Sequence, residues 1–179
     1  MLDKIKKFFS PDKPKIDLTL ADLKKGFILD YFMESWEVKS HGEYSYDGGS
    51  YASEFLIDCG NKKHFLYVEE DDMLADVTLS ISVPMNAIDT SLRSIIQKTD
   101  EAPDSFEFEG ETYYFVECSS GLYKDYGQKQ EEAVEFVMYD FKNKTEDKIV
   151  SIVRWSETDF EASKGYTVKK VEFSNILPI

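Results

Sequence analysis

Two histidines, two cysteines and two crowded runs of acid are the residues of this chain whose types could do chemistry. His41 lies beside a glycine and His64 opens an apolar run, and neither has Cys, His or carboxylate neighbours at zinc spacing. A cysteine nucleophile needs a base and a group that orients it. Cys59, in the turn "DCGN", and Cys118, in a strand-like run, are supplied with neither and read as inert thiols. Ser119-Ser120-Gly121 is not a Gly-x-Ser-x-Gly elbow, and no histidine follows it. The glycines never cluster into a phosphate loop.

The acids are Glu69-Glu70-Asp71-Asp72 and Glu157, Asp159, Glu161. They carry the oxygen ligands that Ca²⁺ and Mg²⁺ take, but no Asp-x-Asp-x-Asp-Gly loop arranges them. They read either as solvated hairpin tips that discourage edge pairing or as a field for a polycation. Trp36, Tyr44, Tyr123 and Trp155 are core residues or ligand platforms. Catalytic residues, a metal and a cofactor are therefore not expected. The candidate ligand or partner face is Trp155, Glu157, Asp159, Glu161, Glu69 and Glu70.

Strands must position these residues. Phe, Tyr and Val are dense, and aromatics reach 15% of 179 residues, which favours strands over helices. A formal charge of −14 repels phosphate backbones and sets nucleic acid aside as a partner. "DLTLADLKKG" predicts a short helical turn entered at Thr19 and closed by Gly26. The period is two from Phe27 onward, with a hairpin turn at "DGG" (47–49) and clean alternation of Val77, Leu79, Ile81 and Val83 up to Pro84. Ile88, Leu92, Ile95 and Ile96 fall at helical spacing and predict one bridging helix over 86–98. Strands resume with a hairpin around Glu109–Glu111.

The halves look alike. Trp36-x-Val38 before Gly42-x-Tyr44 matches Tyr114-x-Val116 before Gly121-x-Tyr123, and Glu54-Phe55 matches Glu135-Phe136. The expected fold is mainly β: two similar small antiparallel units, barrel- or roll-like, spanning about 19–83 and 104–175 within one domain over 18–179. Trp36 and Trp155 are expected in its core with Val38 and Val116.

Residues 1–17 form a separate segment. Positions 1–16 hold five Lys and two Asp, so the remainder is strongly acidic. Over 1–9, Leu2, Ile5, Phe8 and Phe9 make an apolar stripe with lysines behind it. This is the pattern of an amphipathic helix that lies on a membrane, docks a partner or folds back on the body. No signal peptide, myristoylation site or transmembrane run is expected. Two thiols suit a reduced cytoplasm.

Residues 18–72 and "SIVRWSETDFEASKGYTV" (151–168) resemble the bacterial domain-of-unknown-function family 4178. The residues that carry the likeness are Asp22-Leu23 before Gly26, Trp36-Glu37-Val38, Tyr44, and Trp155 with Glu157, Phe160, Glu161 and Gly165. The resemblance carries over no catalytic residue. Members of that family are often encoded beside membrane-stress and polyamine-related proteins, which implies an accessory role in the cytoplasm near the membrane. The leading expectation is a non-enzymatic binding or adaptor protein with a protein partner. The alternatives are a small-molecule or polycation binder using the acidic face, and an enzyme of unrecognised type.

Overall fold

The computed structural model describes residues 18–69, 77–127 and 132–178. Leu2, Ile5, Phe8 and Phe9, with the helix expected over 1–9, lie outside the described residues, as does Glu70.

The chain enters through a single 3-10 turn, Leu20–Asp22, where the Asp22 carboxylate accepts from both the backbone N–H and the hydroxyl of Thr19. Among the described residues eleven strands follow: β1 Ile28–Tyr31, β2 Glu34–Tyr46, β3 Tyr51–Asp58, β4 Lys63–Glu69, β5 Val77–Ser82, β6 Ser105–Phe108, β7 Glu111–Asp125, β8 Val134–Asn143, β9 Lys148–Arg154, β10 Phe160–Val168 and β11 Phe173–Leu177. Every pairing is antiparallel. The ring β2-β3-β4-β5-β10-β9-β8-β7 closes on itself through Tyr44↔Tyr123, giving an eight-stranded barrel without free edges.

Two strands are long enough to serve twice. The first part of β2 pairs with β1, and its last part pairs with β7. The first part of β7 pairs with β6. The two hairpins share one register: Leu29↔Trp36 recurs as Phe106↔Tyr113, 77 residues on. In each, the long strand then carries one extra residue, between Val38 and Ser40 and between Phe115 and Glu117. This register corrects the sequence matches. Trp36 corresponds to Tyr113 rather than Tyr114. Glu54 and Glu135 do not correspond, because Glu54 points into the barrel and Glu135 to solvent. Val116 is the bulged residue and is exposed, whereas Trp36 and Val38 are buried.

The two faces of the barrel wall differ. On one face, side chains from non-adjacent strands meet: Tyr46 of β2 bonds Tyr67 of β4, oxygen to oxygen at 2.7 Å, and the Tyr44 ring lies 5.0 Å from Phe136 of β8. That face is the inside. The outside carries the larger apolar clusters. Phe55, Ile57, Leu66 and Leu79 pack beneath Leu20, Leu23, β1 and β11. Tyr139, Phe141, Val150 and Ile152 pack beneath β6 and two helices, α1 Met85–Ile88 and α2 Leu92–Thr99. The single helix expected over 86–98 is thus broken at Asp89, whose carboxylate accepts from the Ser91 N–H and hydroxyl at 2.7 and 2.6 Å. It still buries Ile88, Leu92 and Ile96 as their spacing demands.

Candidate functional site

β9 ends at Arg154, and Trp155 follows it into a tight turn. The Trp155 N–H donates to the Asp159 carbonyl at 2.9 Å, and the Ser156 hydroxyl accepts from the Asp159 N–H at 3.1 Å. This turn holds the indole half-buried against Tyr123 and Phe136, with ring centres 5.3 and 6.4 Å away. Trp155 was expected deeper in the core. It sits instead at the barrel rim because its turn ends the strand before the wall closes over it.

Beside the indole opens a cleft of about 610 Å³. Asp47, Asp100, Glu135 and Glu157 line it, against one cation, Arg154. Arg154 is already committed, its Nη1 donating to Asp100 at 2.6 Å. Gln97 of α2 donates to the Glu157 carbonyl at 2.7 Å and ties the turn to the helix. The cleft is net acidic with an aromatic wall, which suits a cation.

Inside the barrel lie groups that sequence reasoning missed. Glu54 lies half-buried inside the barrel, with Tyr123 and Tyr44 donating hydrogen bonds to it. Burial, reinforced by the charge of Glu161, pushes its carboxyl up to about 7 against those bonds. Burial likewise lifts Asp140 to about 6, although the Ser151 hydroxyl donates to it at 2.5 Å. Burial also raises Tyr44, Tyr46 and Tyr67. The available signal was an acid in the middle of a run, "YASEFLID", that is apolar on both faces. A carboxyl near neutrality can hold or release a proton, but the groups bonded to Glu54 are the protein's own tyrosines.

The structure divides the expected acidic face. Trp155 and Glu157 meet in the cleft, and Asp159 closes the turn through its backbone. Glu161 is exposed at the end of the barrel where its charge reaches Glu54, Tyr44 and Tyr123. Glu69 belongs to another group, acting on Tyr46, Tyr67 and Asp140. His41 stacks between Phe55 and Tyr126. His64 lies 5.2 Å from Trp36, and burial lowers its proton affinity. Both cysteines are free. Burial raises the Cys118 thiol, the reverse of what a nucleophile needs. Among the described residues no three His, Cys, Asp or Glu side chains converge as metal ligands.

The family model described as "Domain of unknown function (DUF4178)" matches residues 24–170. The chain belongs to this family. The match takes in the barrel, Trp155 and the cleft. An uncharacterized protein of Aquifex aeolicus (strain VF5) is 25% identical over 182 aligned positions, covering 99% of this chain and 98% of that protein. No solved structure matches this DUF4178 chain. No helix among its described residues is long and apolar enough to cross a membrane.

Proposed function

We propose that this DUF4178 protein is a non-enzymatic binding protein of the bacterial cytoplasm, and that the cleft at Trp155 receives a cationic group of its ligand. The observation that carries this is the pairing of a half-buried indole with Asp47, Glu135 and Glu157 in a cleft whose one arginine is neutralised by Asp100. A primary or secondary ammonium on the indole face would meet carboxylates on the rim. A polyamine and a lysine-rich segment of a protein partner share this chemistry. The free thiols support a reducing compartment.

We further read the barrel as two copies of one five-stranded unit, β1–β5 and β6–β10. Support comes from the common hairpin register, the common bulge and the two closing seams, β2–β7 and β5–β10.

Titrating spermidine or a lysine-rich peptide while following Trp155 fluorescence tests the binding reading. Saturable quenching at low salt, lost in Trp155→Ala and weakened several-fold in Glu157→Gln, is expected. No saturable change up to millimolar ligand would sink it.

A further inference from the structure

The turn between β1 and β2 consists of two residues, Phe32 and Met33, both with positive φ, 50° and 62°. This is the type I′ geometry, which Asn-Gly adopts readily and bulky side chains do not. Both side chains nevertheless stand in solvent, Phe32 at 75% and Met33 at 98% exposure. The hairpin β6–β7, in the same register, makes the same turn with Glu109-Gly110. The fold therefore does not require an apolar pair here.

A third apolar residue joins them. The pairing Tyr31↔Phe173 brings the end of the 3-10 turn Lys170–Glu172 to the same end of the hairpin, where Val171 is 86% exposed. The tip rests on a firm base, the Tyr31 and Phe173 rings stacked at 4.8 Å. Lys169 and Lys170 precede Val171 and Glu172 follows it, while Lys62 is paired with Glu34, next to Met33, at 3.0 Å. In a chain of net charge −14 this end sets its apolar side chains beside three lysines, Lys62, Lys169 and Lys170, and two glutamates, Glu34 and Glu172.

We propose that Phe32, Met33 and Val171 form a lipid-docking tip that enters the headgroup region of an anionic bilayer. Three features select this occupant. The tip is convex, so it needs a receiver that deforms around it. Its side chains are wholly apolar and one is aromatic, which suits the interface. The lysines at the tip outnumber its glutamates, a balance that tolerates anionic headgroups, whereas the strongly acidic remainder of the molecule would be repelled by them. The site is separate from the Trp155 cleft and does not depend on the binding reading.

The test is co-sedimentation of the full chain with vesicles of phosphatidylcholine, with and without phosphatidylglycerol. The expected result is salt-sensitive pelleting with the anionic vesicles that falls about tenfold or more in Phe32→Asn/Met33→Gly and falls also in Val171→Ser. The double variant has the turn sequence the backbone prefers, so its melting temperature should hold or rise, and lost binding cannot be blamed on unfolding. Pelleting unchanged in the double variant overturns the proposal, including the case in which deleting residues 1–16 alone abolishes it. So does a chain that never pellets, whether it is monomeric or forms a dimer that the double variant dissolves, in which case a second copy is the occupant.

Discussion

The hairpins β1–β2 and β6–β7 are built to one plan and finished differently. Each buries an aromatic in one of the apolar clusters outside the barrel wall, Trp36 opposite Leu29 and Tyr113 opposite Phe106. Each turns in two residues with positive φ. The first is then covered by β11 and ends in Phe32-Met33, while the second is the outer edge of the sheet and ends in Glu109-Gly110, with Lys164 paired to Glu109 at 2.5 Å. The shared part covers the apolar clusters outside the barrel wall. The unshared part is free to serve something outside the barrel.

The largest expected effect tests the shared part. Trp36→Ala should cost ~3–5 kcal/mol in urea unfolding, and Tyr113→Ala a comparable amount, since both are buried at the same register position of their hairpins. A Tyr113→Ala cost below about 1 kcal/mol would break the equivalence.

The two half-buried carboxylates inside the barrel come next, one per half. The folded protein holds the Glu54 proton to about pH 7, while the unfolded chain releases it from about 4.5. Stability should therefore fall as pH rises through that window, by about 3 kcal/mol, and level off above it. Asp140 should act likewise between about 3.8 and 6. Glu54→Gln should flatten the upper part of the stability profile and Asp140→Asn the lower part. Stability that instead rises from pH 5 to 7 in the unaltered protein, and is unaffected by Glu54→Gln, would show that Glu54 is ionised inside.

The seams give a smaller contrast. A Cβ at Gly121 would stand 2.0 Å from the Ser45 carbonyl oxygen across β2–β7, and one at Gly165 2.5 Å from that of Leu79 across β5–β10. Both alanine variants should lose ~1–3 kcal/mol, Gly121→Ala the more, because its clash with backbone is the closer of the two. Equal losses within experimental error would mean that the seams yield alike.

The smallest effect should be a gain. Phe32→Asn/Met33→Gly should raise stability by about 1 kcal/mol by relieving left-handed backbone. Glu109→Asn, where a glycine already follows, should change it by only a few tenths.

Local signals in the sequence fall where the chemistry of the turn is explicit. The "DGG" turn, Gly26 with its φ of 90°, the Thr19–Asp22 cap and the hairpin at Glu109 are all visible there. The Phe32-Met33 turn is not, because nothing in "DYFMESW" announces positive φ and the run reads as one strand. Barrel closure is also hidden, since it joins Tyr44 to Tyr123 across 79 residues of chain. Inside and outside could not be told apart where both faces of a strand are apolar, so Glu54 and Asp140 went unnoticed while exposed acids drew attention. Trp155 and Glu157 were legible as a pair because a tryptophan among acids in a turn is conspicuous. That Glu69 belongs elsewhere depends on the course of β4, which no local pattern gives.

Closure through β2–β7 and β5–β10 also governs how the molecule is made. When Ser82 leaves the ribosome, β2 and β5 offer bare edges, and their partners arrive only with Asp125 and Val168. At ordinary elongation rates that interval lasts on the order of ten seconds, during which the nascent first half is open to any extended peptide. A neighbouring chain at the same stage later supplies a β6–β10 segment of the right register, so crowded synthesis should favour dimers in which two chains exchange their second halves.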